Sequence, residues 1–290
     1  MKTFRLFPLL ILPLVLTSCV EFDKQSMAYR HDARGDRLLI FQVYERIHTD
    51  GEPTEGEKKE LASVVNGQRT FFFANWIFEY DREAITKSLA EAQDQLQETS
   101  DVERRTLQAR IEFFQQLLDS VRVDKGKFFL NDQSELCAYQ GVVVTHVSRL
   151  INKANHSISA EVEFQLASAE CEFSRKQKQH IRSFMQRDGR WVRFNGNQLC
   201  LGIPQTSEDY DDTAVFLQQL QERGQFVSYN DPFLDMRLGN RRTSRTVITL
   251  DNLNGDYEPT LLEHVRDDYT LANSLNIPQL RDSFLRRGKL

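Results

Sequence analysis

The chain has 290 residues, of which 37 are Lys or Arg and 42 are Asp or Glu, so its formal net charge at pH 7 is −5. A mildly acidic chain is a poor candidate for tight binding to a phosphate backbone, which requires a concentrated basic surface, and we expect no nucleic-acid partner. The four cysteines are widely spaced and none forms a CxxC pair, so the sequence gives no support to a zinc site or a thioredoxin-like centre.

The N-terminus contains the only long apolar run of the chain. Lys2 and Arg5 form a basic start, and residues 6–16 are almost wholly apolar. This run is too short to span a bilayer core, which takes about 20 apolar residues. A basic start, a short apolar centre and small residues at its end are typical of a secretory signal peptide, so we expect residues 1–18 to be cleaved from the mature chain.

The end of that run, Leu16-Thr17-Ser18-Cys19, resembles the lipobox of bacterial lipoproteins. The resemblance covers residues 1–19 only. It implies cleavage before Cys19, a diacylglycerol on the Cys19 sulfur and an acyl chain on the new amino group. The membrane, reached through acylated Cys19, is therefore an expected partner. The alternative is an ordinary signal peptide followed by a chance cysteine.

The residue after the cysteine bears on the destination of the chain. In the lipoprotein family, Asp at that position often retains the protein in the inner membrane, and here the residue is Val20. The resemblance therefore implies an extracytoplasmic, oxidising location, at the outer membrane where the cell has two membranes.

The mature chain is long enough for a substantial core. Without residues 1–18, 272 of the 290 residues remain, and the loss of Lys2 and Arg5 takes the net charge from −5 to −7. This length suits one large domain or two modest ones. We predict a single α+β domain over residues 19–290, with a soft boundary near residues 165–170 as the alternative.

The first predicted element of the mature chain is a β-hairpin over residues 22–47. Two stretches rich in aromatic and branched residues flank a polar turn at residues 32–36. The turn contains Arg34-Gly35-Asp36, the tripeptide known from integrin ligands. Because Gly-Asp is ordinary turn chemistry, we assign the tripeptide to the turn and not to adhesion.

A helix is predicted next, near residues 55–65. Thr54 and Glu57 have the spacing of a capping box, and Asn66-Gly67 provides a stop. The stretch that follows, residues 70–80, is the most aromatic of the chain. We favour a core segment there over the lining of a ligand pocket, because aromatic side chains bury large areas.

Residues 82–121 predict a helical hairpin with a break at Thr99-Ser100. Ser100 and Glu103 have the spacing of a second capping box. Apolar residues recur at helical spacing in both halves: Ile85, Leu89, Ala92 and Leu96, then Leu107, Ile111, Phe114, Leu118 and Val121. The hairpin either packs on the body of the domain, which we favour, or protrudes to grip a partner.

Phe113 is the residue of this hairpin that we expect to contact a partner, such as another envelope protein. It is adjacent to Phe114 on the same helix, and neighbouring helical residues point about 100° apart. A single packing surface is not expected to cover both rings.

The centre of the chain predicts a second hairpin followed by helices. Asn131-Asp132 is the expected turn, and residues 141–147 are expected to form an interior strand that includes His146. Residues 149–186 are mostly helical by composition, with a weak join near Ala169.

A third hairpin is predicted around Asn195-Gly196, two residues that tolerate the positive φ of a type I′ turn. Ser207 is the expected cap of the next helix, whose start is acidic, and Gly224 ends it.

The last third of the chain predicts strands in residues 225–239 and 245–250, then helix over residues 260–287. Pro232 marks a bend or an edge, and Pro278 lies near the start of the last helix. Strands that come in hairpins and helices that come in blocks indicate an α+β fold, with antiparallel hairpins or sheet packed against a helical hairpin and further helices.

Catalytic motifs are missing from the sequence. GxSxG, GxxxxGK[ST], GxGxxG and HExxH do not occur, and the six histidines are scattered. The acidic stretch at residues 207–212 could bind a hard cation, but a helix N-terminus favours the same residues without a ligand. Residues 251–258 fail as an EF-hand, since Gly255 at the sixth position puts Leu250 and Leu261 where oxygen ligands are required. We expect no catalytic residue, metal or cofactor.

Two functions remain. The favoured one is a non-catalytic envelope lipoprotein that binds or scaffolds another envelope component. The alternative is an envelope hydrolase with a non-contiguous site, in which Asp209 or Asp251 lies near His31 or His146.

The cysteines that follow the lipobox also leave two arrangements open. Cys137, Cys171 and Cys200 form one disulfide with a thiol left over, in one of three pairings, or stay free as small buried residues.

Overall fold

The computed structural model describes residues 20–70, 80–97, 101–251, 258–272 and 275–290. The strands in these residues are β1 (Glu21–Asp32), β2 (Arg37–His48), β3 (Val121–Leu130), β4 (Leu136–Thr145), β5 (Val192–Asn195), β6 (Gln198–Pro204), β7 (Phe226–Asn230), β8 (Phe233–Leu238) and β9 (Thr246–Asp251). The helices are α1 (Glu55–Val65), α2 (Arg82–Gln95), α3 (Asp101–Ser120), α4 (Val147–Ala167), α5 (Arg175–Arg187), α6 (Ser207–Asp212), α7 (Ala214–Glu222), α8 (Leu262–Asp268) and α9 (Ile277–Arg287). Antiparallel sheets packed with helices confirm the predicted α+β fold.

The chain forms two compact units, each built from separated stretches. The helical unit comprises Glu83–Ser120 and His146–Thr243, and the sheet unit comprises the described residues up to Arg82, Val121–Thr145 and those within Ser244–Leu290. Residues 165–170 lie inside the helical unit, so the division does not follow the soft boundary. The single domain over residues 19–290 stays a prediction.

A five-stranded antiparallel sheet in the order β3-β4-β2-β1-β9 organises the sheet unit. The first predicted hairpin is confirmed, because β1 pairs with β2 from Glu21↔His48 to Asp32↔Arg37. Its turn is held by the Asp32 carboxylate, which accepts a hydrogen bond from the backbone N–H of Gly35 at 3.1 Å. Strand β9 adds to the other side of β1, with Ala28 opposite Val247.

Helix α1 begins and ends where the sequence predicts. The Thr54 hydroxyl accepts from the backbone N–H of Glu57 at 3.3 Å, and the Glu57 carboxylate accepts from the backbone N–H of Thr54 at 2.6 Å. The last residue of the helix is Val65, Asn66 caps it, and Gly67 follows with φ of +74°, a conformation that glycine adopts without strain. The second predicted capping box depends on Ser100, and the aromatic stretch lies mainly in residues 71–79; both lie outside the described residues.

The second predicted hairpin is confirmed, with a correction at its end. Strands β3 and β4 pair on either side of a turn that begins at Asn131, and β4 lies between β3 and β2. The strand ends at Thr145, however, and α4 begins at Val147. His146 is therefore not a strand residue: it is exposed, with φ of +52°, at the junction of strand and helix.

A four-stranded antiparallel sheet in the order β5-β6-β8-β7 lies in the helical unit. Asn195 pairs with Gln198, so the two-residue turn is Gly196-Asn197 and not Asn195-Gly196. Only Gly196 has positive φ, at +61°, whereas a type I′ turn requires it at both central residues. Glycine at the first central position is typical of a type II′ turn, so the hairpin is confirmed and the turn type is wrong.

One later boundary also differs from the prediction. The cap of α6 is Thr206 and not Ser207, because the Thr206 hydroxyl accepts from the backbone N–H of Asp209 at 3.2 Å. Pro232 lies in the short turn between β7 and β8, where a bend was predicted. Pro278 occupies the first turn of α9, as predicted.

The helical hairpin is present as α2 and α3, and their predicted stripes meet in one cluster of Ala92, Leu107 and Ile111 with Leu89 and Leu96 around it. Val121 does not belong to the stripe, because β3 begins at that residue directly after α3. Helix α3 also packs on α4, where the Thr106 hydroxyl donates to the carbonyl of Ala160 at 3.2 Å.

Candidate functional site

The structure corrects the expectation for Phe113. Both Phe113 and Phe114 are 5% exposed, and their ring centroids lie 5.9 Å apart. Helix α3 packs on α4, and its apolar stripe also packs on that of α2, so this helix has more than one packing surface. Phe113 is a core residue in this conformation and offers no surface to a partner. Cys19, the predicted lipidation site, lies outside the described residues.

Two of the residues named for a hydrolase, His31 and Asp251, lie far apart along β1. His31 and Asp251 both lie in the five-stranded sheet, but Asp251 pairs with Lys24, seven residues along β1 from His31. At about 3.3 Å per residue they are about 23 Å apart along the strand. In the helical unit, the Asp209 carboxylate accepts from the Thr206 hydroxyl at 2.6 Å and caps α6.

A polar cluster around buried Asp23 in the sheet unit was missed by the sequence analysis. His48 Nε2 lies 3.3 Å from Asp23 Oδ1, and Arg46 Nη1 lies 3.0 Å from Asp23 Oδ2. The side chains of Asp23 and His48 are 6% and 7% exposed, so a substrate cannot reach them in this conformation. The cluster holds one end of β1 against the end of β2, and burial of an unpaired charge there would be costly. Alternation along β1 was the available signal, since it places Asp23 on the face of Met27 and Tyr29.

The described cysteines are free. Cys137 and Cys200 are buried and Cys171 is half-buried, so the arrangement without a disulfide is the one observed.

A groove lies on the sheet unit, beside β9. Its volume is about 120 Å³, and its lining residues are Ser26, Met27, Ala28, Phe41, Val43, Glu45, Val247, Ile277 and Arg281. Strands β1, β2 and β9 form the floor, and α9 forms one wall. The groove exists because Ser26 and Ala28 are small and lie between Val43 and Phe41 of β2 on one side and β9 on the other.

Charged and polar groups frame an apolar floor. Lys24 and Glu45 form an ion pair at 3.1 Å on one side, and the Ser26 and Thr249 hydroxyls lie 3.2 Å apart. On the α9 side, Arg281 contacts Asp282 at 3.0 Å. Hydrogen bonds from Arg245 and then from Arg281 lower the pKa of Asp282. The charges at the rim are therefore paired, and the apolar floor is left for a ligand.

The size of the groove limits what it can bind. Pockets for small molecules are usually about 300–1,000 Å³, whereas a cavity of about 150 Å³ holds one benzene ring. The groove of about 120 Å³ therefore suits a single apolar side chain. It adjoins β9, which is the last strand of the sheet in the described part of the chain, and Val247 on that strand is 44% exposed.

Sheet edges and apolar grooves of this kind bind extended peptides, with the backbone paired to the edge strand and alternate side chains in pockets. Among the described residues, no group of three or more His, Cys, Asp or Glu side chains is placed to hold a metal ion. The part of the chain that the structure covers also contains no helix with the length and apolar character to cross a membrane.

Comparisons with known proteins do not assign the chain to a family. No protein-family model matches it, and no curated protein or solved structure shows significant similarity to it.

Proposed function

We propose that this chain is a lipid-anchored bacterial envelope protein that binds another envelope component without catalysis. The anchor is acylated Cys19, and the location is the extracytoplasmic face of a membrane, the outer membrane in a cell with two. Support for the anchor comes from Leu16-Thr17-Ser18-Cys19, which directly follows a short apolar run.

The groove beside β9 is the observation that supports binding. An extended segment of a partner protein can lie along β9 and place one apolar side chain over Ala28 and Ser26. The exposed fraction of Val247, 44%, is large for an apolar residue on an edge strand, where unprotected surface invites pairing. The partner in this proposal is a protein, because the groove is too small for a drug-sized ligand.

No observation on the described residues favours the hydrolase alternative. His31 and Asp251 are about 23 Å apart along β1, the Asp209 carboxylate caps α6, and the buried contact between His48 and Asp23 is closed to substrate.

The anchor is tested by metabolic labelling with a fatty acid. We expect the native chain to incorporate label and Cys19→Ser to incorporate none, with its signal peptide retained. Cys171→Ser is the matched control, since Cys171 is half-buried and lies far along the chain from the lipobox. Label retained in Cys19→Ser would refute the anchor.

The binding site is tested with a photo-crosslinking amino acid placed on each of two edge strands. Val247 of β9 is the test position, and Phe226 of β7 is the control, because it is also an exposed apolar residue, at 46%, on a terminal strand of the other sheet. We expect a discrete adduct with an envelope protein from position 247 and none from position 226.

A second substitution links that adduct to the groove. Ser26→Leu fills the space above the floor, and Ser228→Leu is a matched change at a half-buried serine of β7. We expect Ser26→Leu to abolish the adduct and Ser228→Leu to leave it. An adduct at position 247 that survives Ser26→Leu would contradict binding through the groove.

A further inference from the structure

Helix α5 is strongly basic, whereas the chain as a whole is acidic. Its 13 residues include five Lys or Arg and no Asp or Glu, while acidic residues outnumber basic ones by 42 to 37 in the whole chain. The five are Arg175, Lys176, Lys178, Arg182 and Arg187.

The helix is oriented by its apolar side. Ile181 is 0% exposed and packs in a cluster with Trp191, and the Phe184 ring lies 4.7 Å from the Trp191 ring. The opposite side faces solvent, and its exposed residues are Arg175, Lys176, Gln179, His180, Arg182, Gln186 and Arg187. The outward face of α5, defined by these seven residues, therefore carries neither an acidic nor an apolar side chain.

The positive charges of the helix are not neutralised within the part of the chain that the structure covers. The Arg182 guanidinium donates to the carbonyl of Leu166 at 3.4 Å, and that of Arg187 donates to the carbonyl of Ser183 at 3.1 Å. These acceptors are neutral, and none of the five basic residues forms an ion pair with a described carboxylate. A cationic face of this kind complements an extended anionic surface.

We propose that the outward face of α5 binds the anionic phospholipid headgroups of the bilayer that carries the acyl anchor. This inference rests on the proposed function, because the anchor is what brings a bilayer to the chain. Phospholipid fits better than nucleic acid, because the proposed anchor at Cys19 already holds the chain at a bilayer, where its local basic face lies within reach of anionic headgroups.

The contact is electrostatic and lies at the membrane surface. With no exposed apolar side chain on the outward face, α5 has nothing to insert among acyl chains. Each Lys or Arg near an anionic membrane strengthens binding about fivefold, and several acyl chains already anchor firmly. The contact therefore orients the helical unit on the headgroups, while the acyl chains supply attachment.

The test uses the intact lipidated chain, reconstituted into vesicles of phosphatidylcholine alone or of phosphatidylcholine with phosphatidylglycerol. A fluorophore is attached at Gln179→Cys on α5 in a Cys171→Ser background, since Cys137 and Cys200 are buried. Nitroxide-labelled headgroups quench the fluorophore when the helix lies on the surface. The control position is Gln218→Cys on α7, which is exposed and follows the acidic helix α6.

We expect strong quenching at position 179 in the vesicles with phosphatidylglycerol, little in those without it, and little at position 218 in either. High salt should abolish the quenching because it screens surface charge. The variant Arg175→Gln/Lys176→Gln should lower the ratio of docked to free helix about 30-fold, as expected for two lost charges. Arg241→Gln/Arg242→Gln removes an equal charge from an exposed loop of the same unit and should have little effect.

Three outcomes would overturn the proposal. The first is equal quenching at position 179 in both kinds of vesicle, and the second is an equal loss in the two double variants. The third is shielding of position 179 in native envelopes but not in phosphatidylglycerol vesicles, which would assign the face to an acidic protein. Failure of the anchor is distinguishable, because an unlipidated chain would not co-float with vesicles of phosphatidylcholine alone, to which the basic face does not bind.

Discussion

The two sheets of this protein are built from different kinds of strand. In β4, at the interior of the five-stranded sheet, nine of the ten residues are buried, so both faces of the strand are covered. In β8, at the interior of the four-stranded sheet, buried residues alternate with accessible ones. The sequence of a strand covered on both faces is a nearly continuous apolar run. In a strand with one open face, apolar residues alternate with polar ones.

The polar residues of the two strands differ accordingly. Gln140 of β4 is 0% exposed, and its side-chain amide donates to the carbonyls of Val64 and Arg69 at 3.0 and 2.9 Å. Arg237 of β8 is exposed, pairs with Asp235 at 2.7 Å and lies 4.6 Å above the Phe226 ring. A polar side chain within a fully covered sheet must find its partners there, while one on an open face also has water.

The largest expected contrast is in thiol reactivity. Burial raises the pKa of Cys137 in β4 from 9.0 to about 12, and Glu45 and Glu135 add to the effect. Burial also raises the pKa of Cys200 in β6, but Arg193 and Arg237 oppose this by favouring its thiolate. Because the thiolate is the nucleophile, we expect iodoacetamide at pH 8 to alkylate Cys137 about 1,000-fold more slowly in the folded chain than in urea. Cys200 should react faster than Cys137, and the reverse order by mass spectrometry would contradict the contrast.

Gln140→Leu should be the most destabilising of the substitutions considered. It removes the side-chain amide that donates to the carbonyls of Val64 and Arg69, and one of the two acceptors of the Tyr44 hydroxyl, 3.0 Å away. We expect a loss of about 2–4 kcal/mol in the free energy of unfolding, measured with urea. A loss below about 0.5 kcal/mol would show that water or a rearrangement satisfies those groups.

Two glycines offer a direct comparison of the sheets. A Cβ at Gly141 of β4 would lie 2.4 Å from the Phe284 ring, whereas a Cβ at Gly202 of β6 would meet no heavy atom within 4 Å. We expect Gly141→Ala to cost about 1–3 kcal/mol through overpacking. Gly202→Ala should be neutral or slightly stabilising, because it reduces the freedom of the unfolded chain. Equal melting temperatures for the two variants would contradict the inference that β4 is covered by neighbouring side chains at Gly141 and that β6 is open at Gly202.

The raised pKa of Cys137 also predicts how stability depends on pH. Between pH 9 and about 12 the thiol ionises in the unfolded chain but stays protonated in the folded one, whose pKa is about 12. The unfolded state then binds fewer protons, so this residue lowers stability as pH rises through that range. From pH 8 to pH 10 we expect the free energy of unfolding to fall by about 1 kcal/mol more in the native chain than in Cys137→Ala. Urea titrations of both chains at pH 8 and pH 10 would measure this difference. An equal change in the free energy of unfolding for the two chains would refute the prediction.

Arg237→Leu should destabilise the chain much less than Gln140→Leu. Its ion pair with Asp235 and its contact with Phe226 are both open to water, so each contributes at most about 1 kcal/mol. We expect a loss below about 1 kcal/mol by urea denaturation. A loss as large as that of Gln140→Leu would mean that this face of the four-stranded sheet is covered.

Local signals in the sequence were sufficient for the elements that neighbouring residues determine. The Thr54/Glu57 capping box, the turn at residues 32–36 and the helical stripes of α2 and α3 were predicted from residues a few positions apart. The α+β class followed from the same patterns. Errors at this level were small shifts, as at Thr206 and at the Gly196-Asn197 turn.

The candidate site was not predictable in this way, because its residues come from distant parts of the chain. The groove combines β1 with β9 and α9, more than 200 residues away, and the space in it depends on which strand becomes the neighbour of Ser26 and Ala28. The sequence does show the composition of α5, but not which of its faces Trp191 would cover.

The sequence by itself determined the local elements and, through the resemblance of residues 16–19 to a lipobox, the expected anchor. Only the tertiary structure decided that Phe113 is buried, that Gln140 donates to two carbonyls and that α5 exposes its basic face. The reason is physical. Capping and periodicity depend on residues within one or two turns, whereas burial depends on the partner surface, which is supplied by residues far away in the chain.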